Sequence, residues 1–570
     1  MKVDKAWKLR PSSPVAAPLA REAGITPLQA QLLINRGVSD KETVRAFLSP
    51  RLSQMADPML LKGMDSAVKV IIEAMQNRDK ITIYGDFDAD GLTATALLAN
   101  FFSELGVSVA SYIPNRLEEG YGLNRAAVEK IGRNGTDLII TVDCGISGEK
   151  EIDLAKSLGM DVVVTDHHQI PKGFRPNCPV LNPHQPGCPF PFKDLAGVGV
   201  AFFLAVGIRT ALRERALFRG RPEPDLREYL DLVALGTVAD RVSLLGQNRM
   251  LVKNGLERMA GSKWPGISAM MDAANIKDSA VSSDDLAFRL APRLNAPGRM
   301  GDSNTGLQIL TASEGRAARD LARCVNAANG RRQRLEKDIF DQIEEMINRG
   351  DRIRDQRTLF LGGKGWHLGV LGIVASRLVD RYNRPSLVFN VKDGVAAGSG
   401  RSVEGFNLYQ ALSGSAHLFL KFGGHAHAAG FRMEEGNIEE LRRDLESLAR
   451  QSLTKEGLVP TIDVDREVSL KEIDNELISQ INALCPFGEG NPEPVFFARS
   501  LEVVGSRVVG ESHLKLRVRH GEKTMEAIGF GLGSRHPLQG KTINVLFTPE
   551  LNRWQEHETI QLKIVDLRSE

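Results

Sequence analysis

Three short stretches of this chain hold acids and imidazoles at spacings suited to binding cations. GDFDADG sets Asp86, Asp88 and Asp90 at alternate positions, TVDCG carries Asp143, and TDHH carries Asp166, His167 and His168. Asp240, in GTVAD, ends a long apolar helical pattern and can close the ring. Each stretch has a plainer reading. DxDxDG looks like an EF-hand opening, but position twelve from Asp86 is Leu97, where that loop needs an acid, and a strand pattern precedes it instead of a helix. Asp143 could be an ordinary helix cap, and the paired histidines could be half-buried polar side chains. What favours metal binding is convergence: all three stretches end predicted parallel strands and so collect at one sheet edge. Negative charge crowded there is unfavourable unless cations neutralise it. Oxygen and imidazole ligands without thiolate favour magnesium or manganese over zinc. The candidates Asp86, Asp88, Asp90, Asp143, His167 and Asp240 exceed the needs of one open ion, so two divalent ions about 3.5–4 Å apart are expected, bridged by Asp143. The chemistry of such a pair is attack of an activated water on a phosphoester.

The elements that must position these residues are strand–helix alternations. A helical pattern over Asp65–Gln76 leads to the strand KITIYG (Lys80–Gly85), an apolar helix follows over Leu92–Leu105, and strands recur at Ser108–Pro114, Asp137–Asp143 and Asp161–Asp166. Near-continuous apolar strands of this kind belong to a parallel sheet covered on both faces. Helices resume at Ala196–Leu212 and Asp225–Asp240, and Arg316–Asn348 reads as long polar helices connecting two lobes. A second α/β unit starts at Arg357–Gly363, and the last hundred or so residues read as five short strands without helices, a small OB-type barrel. The expected fold class is therefore α/β multidomain. Its expected parts are a short helical segment (1–50), a parallel-sheet catalytic domain (51–250), a helical connector (251–350), a second α/β domain (351–455) and the barrel (456–570).

Composition narrows the function classes. Charged residues are 25% and hydrophobic residues 42%, which excludes a disordered tail or a fibrous repeat. Net charge is only +2, so any attraction for a polyanion must come from local clustering. Five cysteines without CxxC pairing fit a reducing compartment, and neither a signal-peptide core nor an 18-residue apolar run occurs, so a cytoplasmic protein with no membrane contact is expected. The first strand–helix turn lacks GxGxxG, and its three aspartates would repel a pyrophosphate, which excludes a dinucleotide-dependent oxidoreductase. GxxxxGK[ST] is absent too, so any duplex unwinding must come from a partner.

GDFDADG, TVDCG, TDHH and GTVAD occur in the order seen in the DHH phosphoesterase superfamily. Together with SYIPNRLEEGYGLN (Ser111–Asn124), APRLNAPGRM (Ala291–Met300), GSGRS (Gly398–Ser402), GGHAHAAGF (Gly423–Phe431) and CPFGEGNPEPVF (Cys485–Phe496), the set resembles its single-strand-specific 5′→3′ DNA exonuclease branch over roughly residues 50–570. No acidic motif position departs from the pattern.

The resemblance implies that Asp88, Asp90, Asp143, His167 and Asp240 are metal ligands and that Asp86 ligates or stands just behind them. It places His168 against the scissile phosphate, with Asp166 orienting an imidazole. The second α/β unit resembles the DHH-associated substrate-binding domain. There GSGRS and GGHAHAAGF read as an anion nest in which Arg401 grips a 5′-terminal phosphate and Ser399 donates its hydroxyl, helped by Arg116. His425 and His427 read as nucleic-acid contacts, or as a metal-binding HxH pair. Arg293, Asn295 and Arg299 read as backbone contacts. In the barrel, Lys515, Arg517, Arg519, Phe530 and Trp554 combine cations with stacking rings. The implied protein is a metal-dependent 5′→3′ exonuclease acting in DNA repair and recombination that releases 5′-mononucleotides from single-stranded DNA. It would be a monomer working with a single-strand-binding protein and a helicase. Rival readings are a phosphoesterase for oligonucleotides or cyclic dinucleotides, and a non-catalytic DNA-binding scaffold.

Overall fold

The computed structural model describes the chain except residues 1–4, 219–221, 278–280, 351, 352, 354, 455, 555 and 556, and gives the backbone alone at 553, 554 and 557. The β-branched runs ITIYG, LIITV and DVVVT form buried strands at Ile81–Gly85, Leu138–Val142 and Asp161–Thr165. They lie side by side in a five-stranded parallel sheet, with Val109–Tyr112 on one edge and Val180–Leu181 on the other. Because the strands run the same way and in register, Gly85, Val142 and Thr165 end level, and the residues that follow them share one edge. Helices Ala89–Glu104, Gly197–Glu214 and Leu230–Ala239 cover one face through a large apolar core.

That core does not stop at residue 250. Ile267, Met270, Leu290, Leu294, Ala318 and Val325 all belong to it, so most of the expected connector is part of the parallel-sheet domain. The true connector is one helix, Gly315–Arg349, about 52 Å long at 1.5 Å per residue. Ala318, Ala322 and Val325 anchor its first half in the catalytic core, while Ile339, Phe340, Ile343 and Ile347 are buried against the second α/β domain. The second domain is a five-stranded sheet in the order Phe419–His425, Ala428–Glu434, Val395–Arg401, Ser386–Lys392, Leu359–Lys364, antiparallel apart from its last pair.

The C-terminal strands Phe496–Val509, His513–His520, Lys523–Gly529, Thr542–Trp554 and His557–Ser569 close into a five-stranded barrel, because the first pairs with both the second and the fourth. Residues 1–50 are not an independent helical segment. Ala6–Leu9 forms a parallel strand with Thr461–Val464, and Leu19, Leu32, Leu33 and Phe47 share a core with Phe496, Phe547 and Leu562. The two chain ends therefore build one module.

A buried cation fastens that module to the catalytic domain. Arg249 is 1% exposed and stacks on Phe47 with its guanidinium 3.7 Å from the ring centroid. It donates to the carbonyls of Phe47 (2.7 Å), Cys485 (2.8 Å) and Pro486 (3.3 Å). Burial lowers its pKa to about 10, so it stays charged at neutral pH. Replacing it with alanine leaves three carbonyls unsatisfied and a void, and Arg249→Ala is expected to cost about 3 kcal/mol in urea unfolding. A loss below about 0.5 kcal/mol, the scale of an ordinary surface change, would show that the fastening lies elsewhere.

Candidate metal centre

Each strand tip delivers its acids by a definite local device. After Ile81–Gly85, Asp88 caps the helix Ala89–Glu104, its Oδ1 accepting from the amides of Asp90 (3.0 Å) and Gly91 (3.2 Å). The helix cap among these acids is thus Asp88. Asp143 instead sits in the left-handed region at φ 60°, a conformation a non-glycine residue holds only when its surroundings impose it. The neighbour that crowds it is Gly197, where a Cβ would come 2.6 Å from both Cβ and Oδ1 of Asp143, so only glycine fits. The helix starting at Gly197 also clamps Asp90: the Gly197 amide donates to Oδ2 (2.6 Å) and the Val198 amide to Oδ1 (2.8 Å). Asp240 is the residue on which Leu230–Ala239 ends.

These side chains converge. His167 Nε2 lies 3.1 Å from Asp143 Oδ1, 3.5 Å from Asp240 Oδ2 and 3.9 Å from Asp90 Oδ2. Asp86, Asp88 and Asp143 form a second group with ligand atoms within 4.8 Å of one another, as do Asp143, His167 and His168. Asp143 thus faces both the Asp86–Asp88 side and the histidine side, the geometry of a bridge. Asp86 Oδ1, Asp143 Oδ1 and His167 Nε2 are buried, yet none has a hydrogen-bond partner among the described residues. The 3.1 Å contact of His167 with Asp143 is thus two lone-pair atoms facing one space, the way two ligands face an ion. Oxygen and neutral imidazole donors, orphaned in this manner, fit divalent magnesium or manganese.

The electrostatics agree. Burial, then the charge of Asp88, raises Asp90 to about 7. Asp86, Asp143 and Asp240 are likewise pushed well above the carboxylate range, first by burial and then by neighbouring aspartates. Burial, assisted by His168, lowers His167 to about 3, leaving a neutral imidazole fit for ligation. His168 differs. Burial would lower it too, but its Nδ1 lies 2.8 Å from Asp166 Oδ1, and that bond and charge hold it at about 9. Asp166 is fully buried, also accepts from the amides of Ile146 (2.9 Å), His167 (2.7 Å) and His168 (3.0 Å), and so orients the His168 ring.

Beside the acids lies a group of arginines. Arg116 stacks over Phe87, 4.7 Å from the ring centroid, and Phe87 stands between Asp86 and Asp88 in sequence. Arg299 is lowered to about 9 by burial and then by Arg116, Arg332 and Arg401, and it donates to the Gly369 carbonyl (3.2 Å). Arg401 and Ser399 lie under Gly372, where a Cβ would come 3.1 Å from Arg401 Nη2. The GSGRS part of the expected nest is strand rather than loop. GSGRS lies on an inner strand paired on both sides, so ladder bonds occupy its amides, whereas GGHAHAAGF forms a hairpin whose first strand is the edge of the sheet.

Other expected residues are spread more widely, although His425 still feels the charges of Arg401 and His168. His425 and His427 are 6.3 Å apart between ring centres, at the exposed tip of the hairpin, and no third ligand joins them among the described residues. Arg293 reaches Asn326 and the Arg289 carbonyl, and Asn295 is half-buried. In the barrel Lys515 is spent on Gln561 and Glu526, and Arg519 on Glu502. Arg517 is exposed, Phe530 is 57% exposed against His513, and the Trp554 side chain lies outside the described residues. Sequence reasoning missed Tyr121. Its hydroxyl lies 3.0 Å from His168 Nδ1 and 3.3 Å from the Asp143 carbonyl, which it can reach because Gly120 and Gly122 turn the loop through positive φ.

A carboxyl whose pKa is higher in the folded state than in the unfolded chain adds stability only while protonated, and that gain disappears as pH rises through the folded value. The chelated protein should therefore lose melting temperature between about pH 4, the unfolded aspartate value, and the folded Asp90 value of about 7. Manganese should reverse the loss, most strongly at the alkaline end. A melting temperature indifferent to manganese throughout would contradict a metal centre.

Known proteins carry the same plan. Family models match in sequence order: the DHH family N-terminal domain over residues 80–237, the DHHA1 domain over 355–451 and the RecJ OB domain over 464–566. The single-stranded-DNA-specific exonuclease RecJ of Bacillus subtilis is 36% identical over 98% of this chain and 70% of its own length. The protein of the same description from Escherichia coli is 36% identical over 95% of this chain and 96% of its own. The crystal structure of RecJ from Thermus thermophilus in complex with Mn2+ superposes with a TM-score of 0.84 at 30% identity, covering 99% of this chain and 79% of that one. Its Mg2+ complex gives 0.78 at 29% identity, over 99% and 78%. The same three domains in the same order, full-length relatives and a shared three-dimensional plan lead to one conclusion: the chain belongs to the RecJ family of DHH proteins.

Proposed function

We propose that this chain is a metal-dependent, single-stranded-DNA-specific 5′→3′ exonuclease that hydrolyses phosphodiester bonds and releases 5′-mononucleotides in DNA repair and recombination. The observation that carries the reading is the set of orphaned buried atoms, Asp86 Oδ1, Asp143 Oδ1 and His167 Nε2, facing one space beside an arginine pocket. Asp88, Asp90, Asp143, His167 and Asp240 would hold two divalent ions, magnesium or manganese, with Asp86 in or just behind the shell. Bound there, the ions supply Lewis acidity at phosphorus and acidify a coordinated water.

The chain's own groups do the rest. His168, held at about 9 by Asp166, is protonated at neutral pH and can donate to a phosphoryl oxygen as charge develops on it. Arg116, Arg299 and Arg401 repel one another, and that repulsion is relieved when a phosphate enters between them. A dianionic 5′-terminal phosphate relieves it better than an internal diester, which supports attack from the 5′ end. Ser399 adds a hydroxyl from the same strand as Arg401. The barrel, seated by Arg249, continues the grip along the strand through Arg517 and Phe530. Full-length relatives and the added barrel favour this reading over a small-substrate phosphoesterase, and the intact acid set favours it over a scaffold. Lacking a motor motif, the enzyme works with a helicase and a single-strand-binding protein, as a cytoplasmic monomer. No helix among the described residues is long and apolar enough to cross a membrane.

Labelled 5′-phosphorylated single strands should be digested with manganese and spared with chelator, while blunt duplex of the same sequence is resistant. Equal rates on both forms would overturn single-strand specificity. Arg401→Ala should mainly erase the preference for a 5′-phosphate over a 5′-hydroxyl end, by about tenfold or more for a lost charge-assisted pair. Unchanged end discrimination would remove Arg401 from the pocket.

A further inference from the structure

Phe288 is 75% exposed, more than any other large apolar side chain among the described residues. An isolated exposed apolar residue is normal on a protein surface. The position of this one is not. It sits on a single π-turn, Leu286–Leu290, that runs directly into the helix Ala291–Arg299. Such turns insert an extra residue into a helix, cost stability, and concentrate at functional positions. Leu286, Leu290, Ala291 and Leu294 face the core, so the outer stripe is Phe288, Pro292, Asn295 and Arg299, at helical spacing.

This one segment touches every part of the molecule. Ser283, just before it, donates to the Phe487 carbonyl of the barrel module (2.7 Å). Arg289 braces the turn against Asp285 and the Asn275 carbonyl, and Arg293 reaches Asn326 on the connector helix (3.0 Å). At its far end Gly298 comes close to the Phe87 carbonyl, and the Arg299 carbonyl is so near Gly369 of the second domain that a Cβ there would come within 2.1 Å of it. The outer stripe therefore starts at an exposed ring and ends in the arginine pocket beside Asp86 and Asp88, on the order of 16 Å away for eleven residues of helix.

Two buried polar atoms along the way lack partners among the described residues, Asn295 Oδ1 and Arg332 Nε. Arg293 donates to carbonyl oxygens and feels Arg289 and Arg332 as its charged neighbours. An exposed aromatic ring on a helix that leads to a cluster of arginines matches the chemistry of an unpaired polynucleotide, which offers phosphates along its length and free base faces. Inside a duplex both faces of every base are already stacked.

We propose that Phe288 is a specificity-determining residue of the strand path: its ring stacks on a base of the bound single strand, away from the arginine pocket along the helix Ala291–Arg299. The proposal rests on the exonuclease reading above and extends it to one side chain that the metal centre does not use.

The test compares wild-type, Phe288→Ala and Phe288→Trp full-length enzymes with manganese on a 5′-phosphorylated 30-mer and on a 5′-phosphorylated dinucleotide too short to reach the ring. Phe288→Ala should raise KM on the 30-mer about tenfold with kcat nearly unchanged, equal to about 1.4 kcal/mol and within the range for one stacked base. It should leave dinucleotide hydrolysis as in wild type, and Phe288→Trp should restore the low KM. A single abasic nucleotide walked along the 30-mer should weaken wild-type binding at one position and have no effect there on Phe288→Ala. Unchanged KM in Phe288→Ala, or equal losses on both substrates, would overturn the proposal. Failure of the wild-type enzyme on the 30-mer would instead overturn the exonuclease reading itself.

Discussion

Buried carboxylates that face one another cannot all keep their ordinary charge. Asp86, Asp90, Asp143 and Asp240 are withdrawn from water at one sheet edge, and each is pushed toward its protonated form by burial and then by its neighbours. Two remedies exist: uptake of protons, or occupation by cations. The unpartnered Asp143 Oδ1, Asp86 Oδ1 and His167 Nε2 form a set of oxygen and imidazole donors of the kind that divalent cations occupy. The surrounding structure serves this constraint. The left-handed Asp143, the glycine at 197 that alone admits it, and the paired amides on Asp90 all hold charge where the chain by itself would not leave it.

The opposite charge is handled in the same way. Arg116, Arg299 and Arg401 are gathered so that the leading charge effects on Arg299 and Arg401 come from other arginines, while Asp88 and Asp86 act on Arg116. A metal–phosphodiester complex satisfies both the acids and the arginines. Arg249 shows a structural variant of the theme, a buried cation satisfied by carbonyls, which is how the barrel module is held at a fixed place relative to the chemistry.

Much of this was legible in the residues. Three acid-bearing stretches each followed a β-branched run, and parallel strands in register must bring their ends together. The motifs flagged Arg116, Arg299, Ser399 and Arg401 as well. What escaped depended on long-range packing. GSGRS reads as part of an anion nest because it is rich in glycine; here Gly398 is required because a Cβ would strike the Val388 carbonyl and Phe389 of the neighbouring strand. Residues 1–50 carry no chemistry and so revealed nothing until Trp7 and Phe47 were seen against the barrel and Arg249. Tyr121 had a signal, a tyrosine between two glycines in GYGLN, but nothing local says that its hydroxyl meets His168. The extended reach of the catalytic core past residue 250 likewise follows from which helix faces meet, a fact of tertiary structure.

Whether Asp143 would be shared by two cations can be measured without any substrate. Equilibrium titration of the metal-free protein with manganese, following free Mn2+ by its paramagnetic resonance signal, reads the stoichiometry directly. Two ions should bind per chain in the wild-type protein, and Asp143→Asn should weaken both while leaving the melting temperature of the chelated protein unchanged or higher. Binding of no manganese, or undiminished binding of two ions by Asp143→Asn, would contradict the account.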